Sequence, residues 1–154
     1  GSIKNSGYAE VRTGLTGGGA GLGIPVDNTP PLITEGTEII SASLTPKSAT
    51  NRIRVRVNGY AGGANNSQEA TIAFFKNAGA EAIFAQHIKM DLNAQDSMAF
   101  TAEFEFVAGT TSPLTISVRF GKSSTGTWQI NGTIIGDLYG GKSALTLILE
   151  EIKA

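Results

Sequence analysis

The chain has 154 residues and a mass of 16.0 kDa, which suffices for one domain with its own core and is too short for two. Its 12 basic and 13 acidic residues give a formal charge of −1, so composition predicts no nucleic-acid partner and no attraction to an anionic membrane. Cysteine is absent, and no apolar run is long enough to predict a membrane span. Charged residues make up only 16 %, which indicates a chain that buries surface in an assembly.

Residues 1–36 differ in composition from the rest of the chain. Positions 14–23 read GLTGGGAGLG, and six glycines in ten residues lose too much backbone entropy to form a stable element alone. Pro25, Pro30 and Pro31 then bias the backbone towards extended conformations. We therefore predict an extended lead-in over 1–36, either a flexible linker or a segment ordered between neighbouring chains, and a folded domain over 37–154.

From residue 37 onward, short segments alternate between apolar and polar side chains. In the segment 52–57, for example, Ile53, Val55 and Val57 share one face of a strand. The segment 144–152 also contains helix-favouring residues, but its alternating leucines favour a strand. The predicted strands are 37–44, 52–57, 70–76, 82–90, 98–108, 114–120, 127–135 and 144–152. Eight short strands separated by Gly, Asn, Ser and Pro turns predict an all-β, two-sheet antiparallel sandwich.

Three arginines, Arg52, Arg54 and Arg56, lie on the polar face of one predicted strand. Glu103 and Glu105 have the same two-residue spacing on another strand, and opposite charges on neighbouring strands stabilise a sheet by about 0.2–1 kcal/mol per pair. The pattern predicts a charge ladder, either exposed to solvent or at a subunit interface, in which an arginine lies near a carboxylate. A polyanion-binding strip is the alternative.

The segment 136–143, GDLYGGKS, matches the phosphate-loop pattern GxxxxGK[ST]. A phosphate loop opens a parallel α/β domain, and its N–H groups and the following helix hold the phosphates. Only 11 residues follow Ser143, and no alternation of strands and helices precedes the segment. We interpret it as a glycine-rich turn that leads into the last strand.

Three other groups resemble chemical sites. Glu103 and Glu105 would lie about 7 Å apart, a spacing compatible with an inverting glycosidase, but nothing places either carboxyl in an apolar pocket. His87 is the single histidine and no GxSxG motif supplies a serine nucleophile, so a strand histidine is the simpler interpretation. The turn from Asp91 to Asp96 offers oxygen ligands for a cation but lacks the glycine and final glutamate of a helical calcium loop. The sequence predicts no enzyme, no metal centre and no cofactor.

Aromatic residues near glycine-rich connections provide the remaining indication of function. Tyr60, Trp128 and Tyr139 are candidates for stacking on sugar rings, because an amphipathic ring can lie at an exposed rim. The alternative for Trp128 is packing in the sandwich interior or at a subunit interface.

A series of short motifs extends over residues 24–152 in a fixed order. They are IPVDNTP at 24–30, TEGTEII at 34–40, LTPKSATN at 44–51, IAFFK at 72–76, AGTTS at 108–112, NG at 131–132 and YGG at 139–141. Their order and spacing resemble the C-terminal domain of many phage tail fibres and tailspikes. Members of that family usually carry a turn like GGRLFGG, whereas this chain has GDLYGG at 136–141, so no role of the arginine carries over.

The resemblance implies a jelly-roll sandwich similar to the tumour-necrosis-factor fold, assembled as a parallel homotrimer with two identical chains. It further implies a virion component at the extracellular, distal end of a phage tail, which supports fibre folding and host attachment. In some members the resemblance also implies contact with bacterial surface polysaccharide. The alternative function is a free-standing, monomeric carbohydrate-binding module.

Overall fold

A computed structural model describes residues 2–63, 68–90, 97–124, 126–133 and 136–154. The described residues form twelve strands and one short 3-10 turn at Tyr139–Gly141. The strands are β1 (Ile3–Val11), β2 (Leu15–Gly17), β3 (Thr37–Leu44), β4 (Arg52–Gly63), β5 (Gln68–Lys76), β6 (Phe84–Met90), β7 (Ser97–Val107), β8 (Leu114–Lys122), β9 (Trp128–Ile130), β10 (Gly132–Thr133), β11 (Gly136–Asp137) and β12 (Leu145–Ile152).

The strands form two antiparallel sheets that enclose one main core. The first sheet has the order β1-β12-β4-β7, and β9 and β2 extend it where β4 passes beyond β12. The second sheet has the order β3-β8-β5-β6, and β10 and β11 form a separate small ribbon. Because the chain crosses repeatedly between the two sheets, this strand order is that of a jelly roll. The predicted all-β, two-sheet jelly-roll sandwich is confirmed.

The alternating segments form strands close to their predicted positions. The segment 144–152 is a strand, with Leu145, Leu147 and Leu149 fully buried between the sheets. The predicted strand 127–135 is divided into β9 and β10 by Asn131, whose φ of 59° is rare for residues other than glycine and is tolerated best by asparagine. Residues 134–135 of that prediction lie outside the described residues.

The structure differs from the predicted lead-in at both ends of the segment 1–36. Strand β1 pairs with β12 along its whole length and closes one side of the first sheet. Its inward positions carry Gly7, Ala9 and Val11, which lie opposite Leu149, Leu147 and Leu145. Because glycine and alanine give almost no hydrophobic signal, the alternation of this strand is invisible in the sequence.

Residues 24–33 cover the outer face of the second sheet instead of leaving the domain. Ile24 is completely buried against Ala73 and Phe75, and Ile33 packs at the edge of this second cluster. The Ile24 N–H donates to the carbonyl of Lys122 at 2.9 Å, which fixes the segment to the end of β8. The backbone bends at 27–29, and Ile24 and Ile33 on either side of the bend pack onto the sheet.

Gly7 tests whether β1 belongs to the fold. A Cβ atom at this position would overlap the backbone carbonyl of Ser43 in β3, so the close approach of the two sheets requires glycine. We expect Gly7→Ala to lower the free energy of unfolding by about 2 kcal/mol, in the range measured for overpacked cores. Urea denaturation at a fixed protein concentration measures the change. Ser6→Ala, at an exposed neighbouring position, is the control, and an equal response of the two variants would contradict the position of β1.

Both ends of the described chain leave the sandwich together. The Lys153 N–H donates to the Ser2 carbonyl at 3.1 Å, beside the turn that connects β3 and β4. The turn around Tyr139 lies at the opposite end, where β1 ends and β12 begins. Across the described residues, the structure contains no helix with the length and apolarity needed to cross a bilayer.

Candidate functional site

The outer face of the first sheet carries the predicted charge ladder. The Arg52 Nε lies 3.0 Å from Glu105 Oε1, and the Arg54 Nε lies 3.3 Å from Glu105 Oε2 and 3.4 Å from Glu103. The sequence analysis missed Glu150 on β12, whose carboxylate lies 3.0 Å from Arg56 Nη2. The spacing therefore predicted the pairing of β4 with β7, and the position of β12 beside β4 adds the third carboxylate.

The same contacts argue against the glycosidase hypothesis. Hydrogen bonds from Arg52 and then Arg54 hold the pKa of Glu105 below its usual value of 4.5. A glycosidase acid needs a raised pKa so that it carries a proton at neutral pH, and the arginines act in the opposite direction. The paired arginines likewise leave little positive charge for the alternative of a polyanion-binding strip.

Apolar side chains lie beside the charge ladder on this face, with the polar pair Ser6 and Glu150 between two of them. Tyr8 on β1 is 57 % exposed and lies opposite Ile148 of β12, which in turn lies opposite Arg56. Ile3, at the start of β1, is also exposed. We call Ile3, Tyr8 and Ile148 the β1 face.

A second apolar surface lies where the edge strands of the two sheets meet. Phe84 of β6 stacks on Phe104 of β7 with ring centroids 4.5 Å apart, and Phe104 stacks on Phe106 at 6.1 Å. All three rings are only partly buried, and Ile83, directly before β6, is exposed. We call these four residues the aromatic edge. Sequence analysis predicted the strand 98–108 but gave no indication that Phe104 and Phe106 reach an open edge.

Trp128 is not available to stack on a sugar, which corrects its assignment as a glycan-binding candidate. It is 1 % exposed and meets Phe120 edge to face at 4.9 Å between ring centroids. Its indole also covers Gly17, where a Cβ atom would overlap the ring. A large ring at this position fills the interior where β9 and β2 extend the first sheet, which is the packing alternative given by the sequence.

The two tyrosine candidates differ in exposure. Tyr60 is half-buried, and its hydroxyl lies within hydrogen-bond distance of the Ser143 hydroxyl, at 2.9 Å. Tyr139 is 76 % exposed, with a φ of 58° that is unusual for a bulky residue. The Arg12 guanidinium donates to the carbonyl of Gly141 at 3.1 Å and anchors this turn to the end of β1. Of the three predicted rings, that of Tyr139 is therefore the one presented to solvent.

The segment 136–143 has the geometry of a turn and not that of a phosphate loop. Gly136–Asp137 is the short strand β11, a 3-10 turn follows, and strand β12 begins at Leu145. Because no helix follows the glycines, the dipole that would hold a phosphate is missing from this part of the described chain. The interpretation as a glycine-rich turn before the last strand agrees with this geometry.

The remaining candidates from the sequence give no catalytic arrangement. His87 lies half-exposed on β6 with Nε2 at 3.3 Å from Glu69 Oε1. The Asp91 to Asp96 turn lies outside the described residues. In the part of the chain that the structure describes, no group of three or more His, Asp or Glu side chains has metal-binding geometry.

Two buried polar residues, which the sequence analysis missed, each hold together one end of the sandwich. The carboxylate of Glu151, which is 0 % exposed, accepts the backbone N–H groups of Lys47 and Ser48 and the side-chain amide of Asn51. At the opposite end, the buried Asn131 amide donates to backbone carbonyls at the end of β1 and before β12, and its oxygen accepts the Ser143 hydroxyl. Glu151 follows the apolar residues of β12, and Asn131 lies between Ile130 and Gly132. These interruptions are the only indication of the two residues that the sequence offers.

Comparison with known proteins adds a likeness in fold. No protein-family model matches the sequence, and no curated protein matches it. Among solved structures, the chain is similar to the Eiger TNF of S. frugiperda, with 11 % identity, a TM-score of 0.48 and coverage of 97 % of this chain and 92 % of that one. It is also similar to the CBM36-1 domain of a multidomain xylanase from the hindgut metagenome of Trinervitermes trinervoides, with 16 % identity, a TM-score of 0.43 and coverage of 94 % and 96 %.

A third similar structure is described as "CBM4 structure and function", with 15 % identity and a TM-score of 0.38. The match covers 58 % of this chain and 54 % of that one, so this chain spans about half the length of the CBM4 structure. At these identities and TM-scores the likenesses concern the fold alone.

Proposed function

We propose that this chain is a non-enzymatic structural and binding domain, the homotrimeric C-terminal cap of a phage tail fibre or tailspike. In this role it is part of the virion, stands outside the cell and contacts host surface polysaccharide. The observation that carries the proposal is the presence of two separate apolar surfaces on one subunit, the β1 face and the aromatic edge. The motifs over 24–152 that resemble such caps support it independently.

Two different surfaces on the same subunit favour a head-to-tail contact between copies. If the aromatic edge of one subunit packs on the β1 face of the next with a three-fold rotation, each subunit offers one surface on either side and three subunits close into a ring. Burial of these side chains would stabilise the ring by about 25 cal/mol per Å² of apolar area. The edge strands β6 and β7 would also be sheltered from uncontrolled pairing.

The exposed Tyr139 lies at the end of the sandwich opposite the start of β1. Ser2 and Lys153 lie at one end of the sandwich and the exposed Tyr139 at the other. A fibre shaft attached at residue 2 would therefore direct Tyr139 away from the virion and towards a host surface. Tyr139 keeps the exposure that stacking on a sugar ring requires.

Substitutions on the two surfaces test the assembly. Tyr8→Glu on the β1 face and Ile83→Glu on the aromatic edge each place a carboxylate in the proposed contact, so we expect association at least about a hundredfold weaker. Both side chains are exposed in the subunit, so the subunit fold is retained. Multi-angle light scattering measures the mass, and circular dichroism measures the fold.

The matched control is Ser112→Glu, which adds the same charge in the exposed turn that connects β7 and β8. It should leave the mass of the wild-type assembly unchanged. If Tyr8→Glu and Ile83→Glu also retain that mass, the two surfaces do not form the contact. A wild-type protein with the mass of one chain would instead favour the free-standing carbohydrate-binding module.

A further inference from the structure

A groove opens between β6 and β7, beyond the aromatic edge and towards the end of the domain that carries Tyr139. It has a volume of about 410 Å³, which lies within the range of small-ligand sites. Its lining includes Gln86, His87 and Lys89 of β6 and Met98 and Thr101 of β7. The groove exists because β6 and β7 are the edge strands of opposite sheets and their backbones do not pair in a ladder.

The walls of the groove combine an apolar floor with hydrogen-bonding groups. Ile88 and Phe100 are buried beneath it. The Gln86 Nε2 donates to the Thr101 carbonyl at 2.9 Å, which shows that this carbonyl points to the free side of β7. Because alternate residues of an edge strand direct their backbone groups to the same side, the N–H and C=O of Ala99 face the groove as well. A pyranose ring needs this combination, an apolar surface for its C–H face and amide or hydroxyl groups for its oxygens.

The charges at the groove favour an acidic ligand. Glu69 of β5 stands opposite Lys89 in the strand register, but its carboxylate lies 3.3 Å from His87 Nε2. No carboxylate is among the described residues that line the groove. Among the described residues that line the groove, the Lys89 ammonium is the charged group with no ion-pair partner there, and charge-assisted hydrogen bonds are about twice as strong as neutral ones.

We propose that the β6–β7 groove is a binding site for a saccharide that carries an acidic group. The backbone of Ala99 and the part of the Gln86 amide that is not bonded to Thr101 bind the sugar hydroxyls, the C–H face of the ring lies over the apolar floor, and Lys89 pairs with the acid. This inference rests on the sugar-binding part of the proposed function and places that binding in the groove.

The test begins with the full chain on an array of bacterial surface polysaccharides that contains acidic and neutral members. Glycans that bind are then titrated by calorimetry against four variants. Lys89→Gln should weaken binding about tenfold, and Gln86→Ala should weaken it as well because it removes the amide that binds the sugar hydroxyls. Lys47→Gln removes an exposed lysine at the opposite end of the domain and should have no effect. Tyr139→Ala tests the other candidate site, the exposed ring at the end of the domain.

The outcomes separate this inference from the proposed function. Binding of an acidic glycan that is weakened in the two groove variants and retained in Lys47→Gln supports the groove. Binding that is lost in Tyr139→Ala and retained in the groove variants would leave sugar binding intact and overturn the groove as its site. Binding of neutral glycans alone would overturn the acidic class, and a blank array would contradict sugar binding altogether. Light scattering and circular dichroism of each variant confirm that assembly and fold are retained.

Discussion

Replacing Glu151 with glutamine is expected to lower the free energy of unfolding by about 3 kcal/mol. The buried carboxylate accepts hydrogen bonds from the Lys47 N–H at 2.7 Å, the Ser48 N–H at 3.3 Å and the Asn51 side chain at 3.0 Å. Glutamine has almost the same shape but turns an NH₂ group towards these donors, which leaves buried polar groups without partners. Urea denaturation at a fixed protein concentration measures the loss.

Glu103→Gln is the matched control for this substitution. Its side chain is about half exposed and lies 3.4 Å from Arg54, so the same chemical change should cost less than about 1 kcal/mol. A similar cost for the two variants would contradict the assignment of Glu151 as the residue that holds the turn between β3 and β4.

The pH dependence of the free energy of unfolding provides a second test of the role of Glu151. Burial raises the pKa of Glu151, but the hydrogen bonds from Asn51, Lys47 and Ser48 outweigh it, and the net pKa lies below the usual value of 4.5. A lowered pKa in the folded state means that the stabilisation is fully present above the unfolded value and is lost as the pH falls through the folded value. The difference in urea midpoint between wild type and Glu151→Gln should therefore shrink below pH 4.5. A constant difference down to acidic pH would contradict the charged, hydrogen-bonded state.

Truncation of Trp128 to alanine should have an effect of similar size, about 4 kcal/mol, because it empties the interior between β9 and the second sheet. Trp128→Phe should cost less, since phenylalanine keeps most of the packing against Phe120 and the indole N–H has no hydrogen-bond partner among the described residues. Because this is the single tryptophan of the chain, its fluorescence reports on this position alone.

Fluorescence distinguishes the core position from a surface role. A buried indole should emit at short wavelength and resist quenching by iodide in the folded protein, and added glycans should not change its emission. Strong iodide quenching together with a small loss of stability in Trp128→Ala would contradict burial and restore Trp128 as a sugar-stacking candidate.

The sequence predicted the fold where the side chains alternate strongly. Ile53, Val55 and Val57 define the inward face of β4, and the leucines of β12 define that of the neighbouring strand. Strand β1 escaped prediction because glycine and alanine occupy its inward positions. The packing of Ile24 against the second sheet was not predicted either. A single apolar residue beside a proline belongs to no periodic pattern, so the sequence does not indicate which surface it packs on.

The candidate sites were predictable only where they depend on one strand pair. Arg54 and Glu105 could be matched by spacing because β4 and β7 are neighbours in the same sheet. The groove between β6 and β7 depends on how the edges of the two sheets lie beside each other. No local sequence pattern encodes that arrangement. The position of Trp128 was ambiguous, because an aromatic ring near a glycine can lie at an exposed rim or pack against the glycine in the interior.

The mass of the wild-type chain in dilute solution tests the central claim most directly. Sedimentation equilibrium over a range of concentrations should give three times the 16.0 kDa of one chain, with little dependence on concentration. A single species of 16.0 kDa at every concentration would contradict the trimer, and with it the assignment of the β1 face and the aromatic edge as contact surfaces.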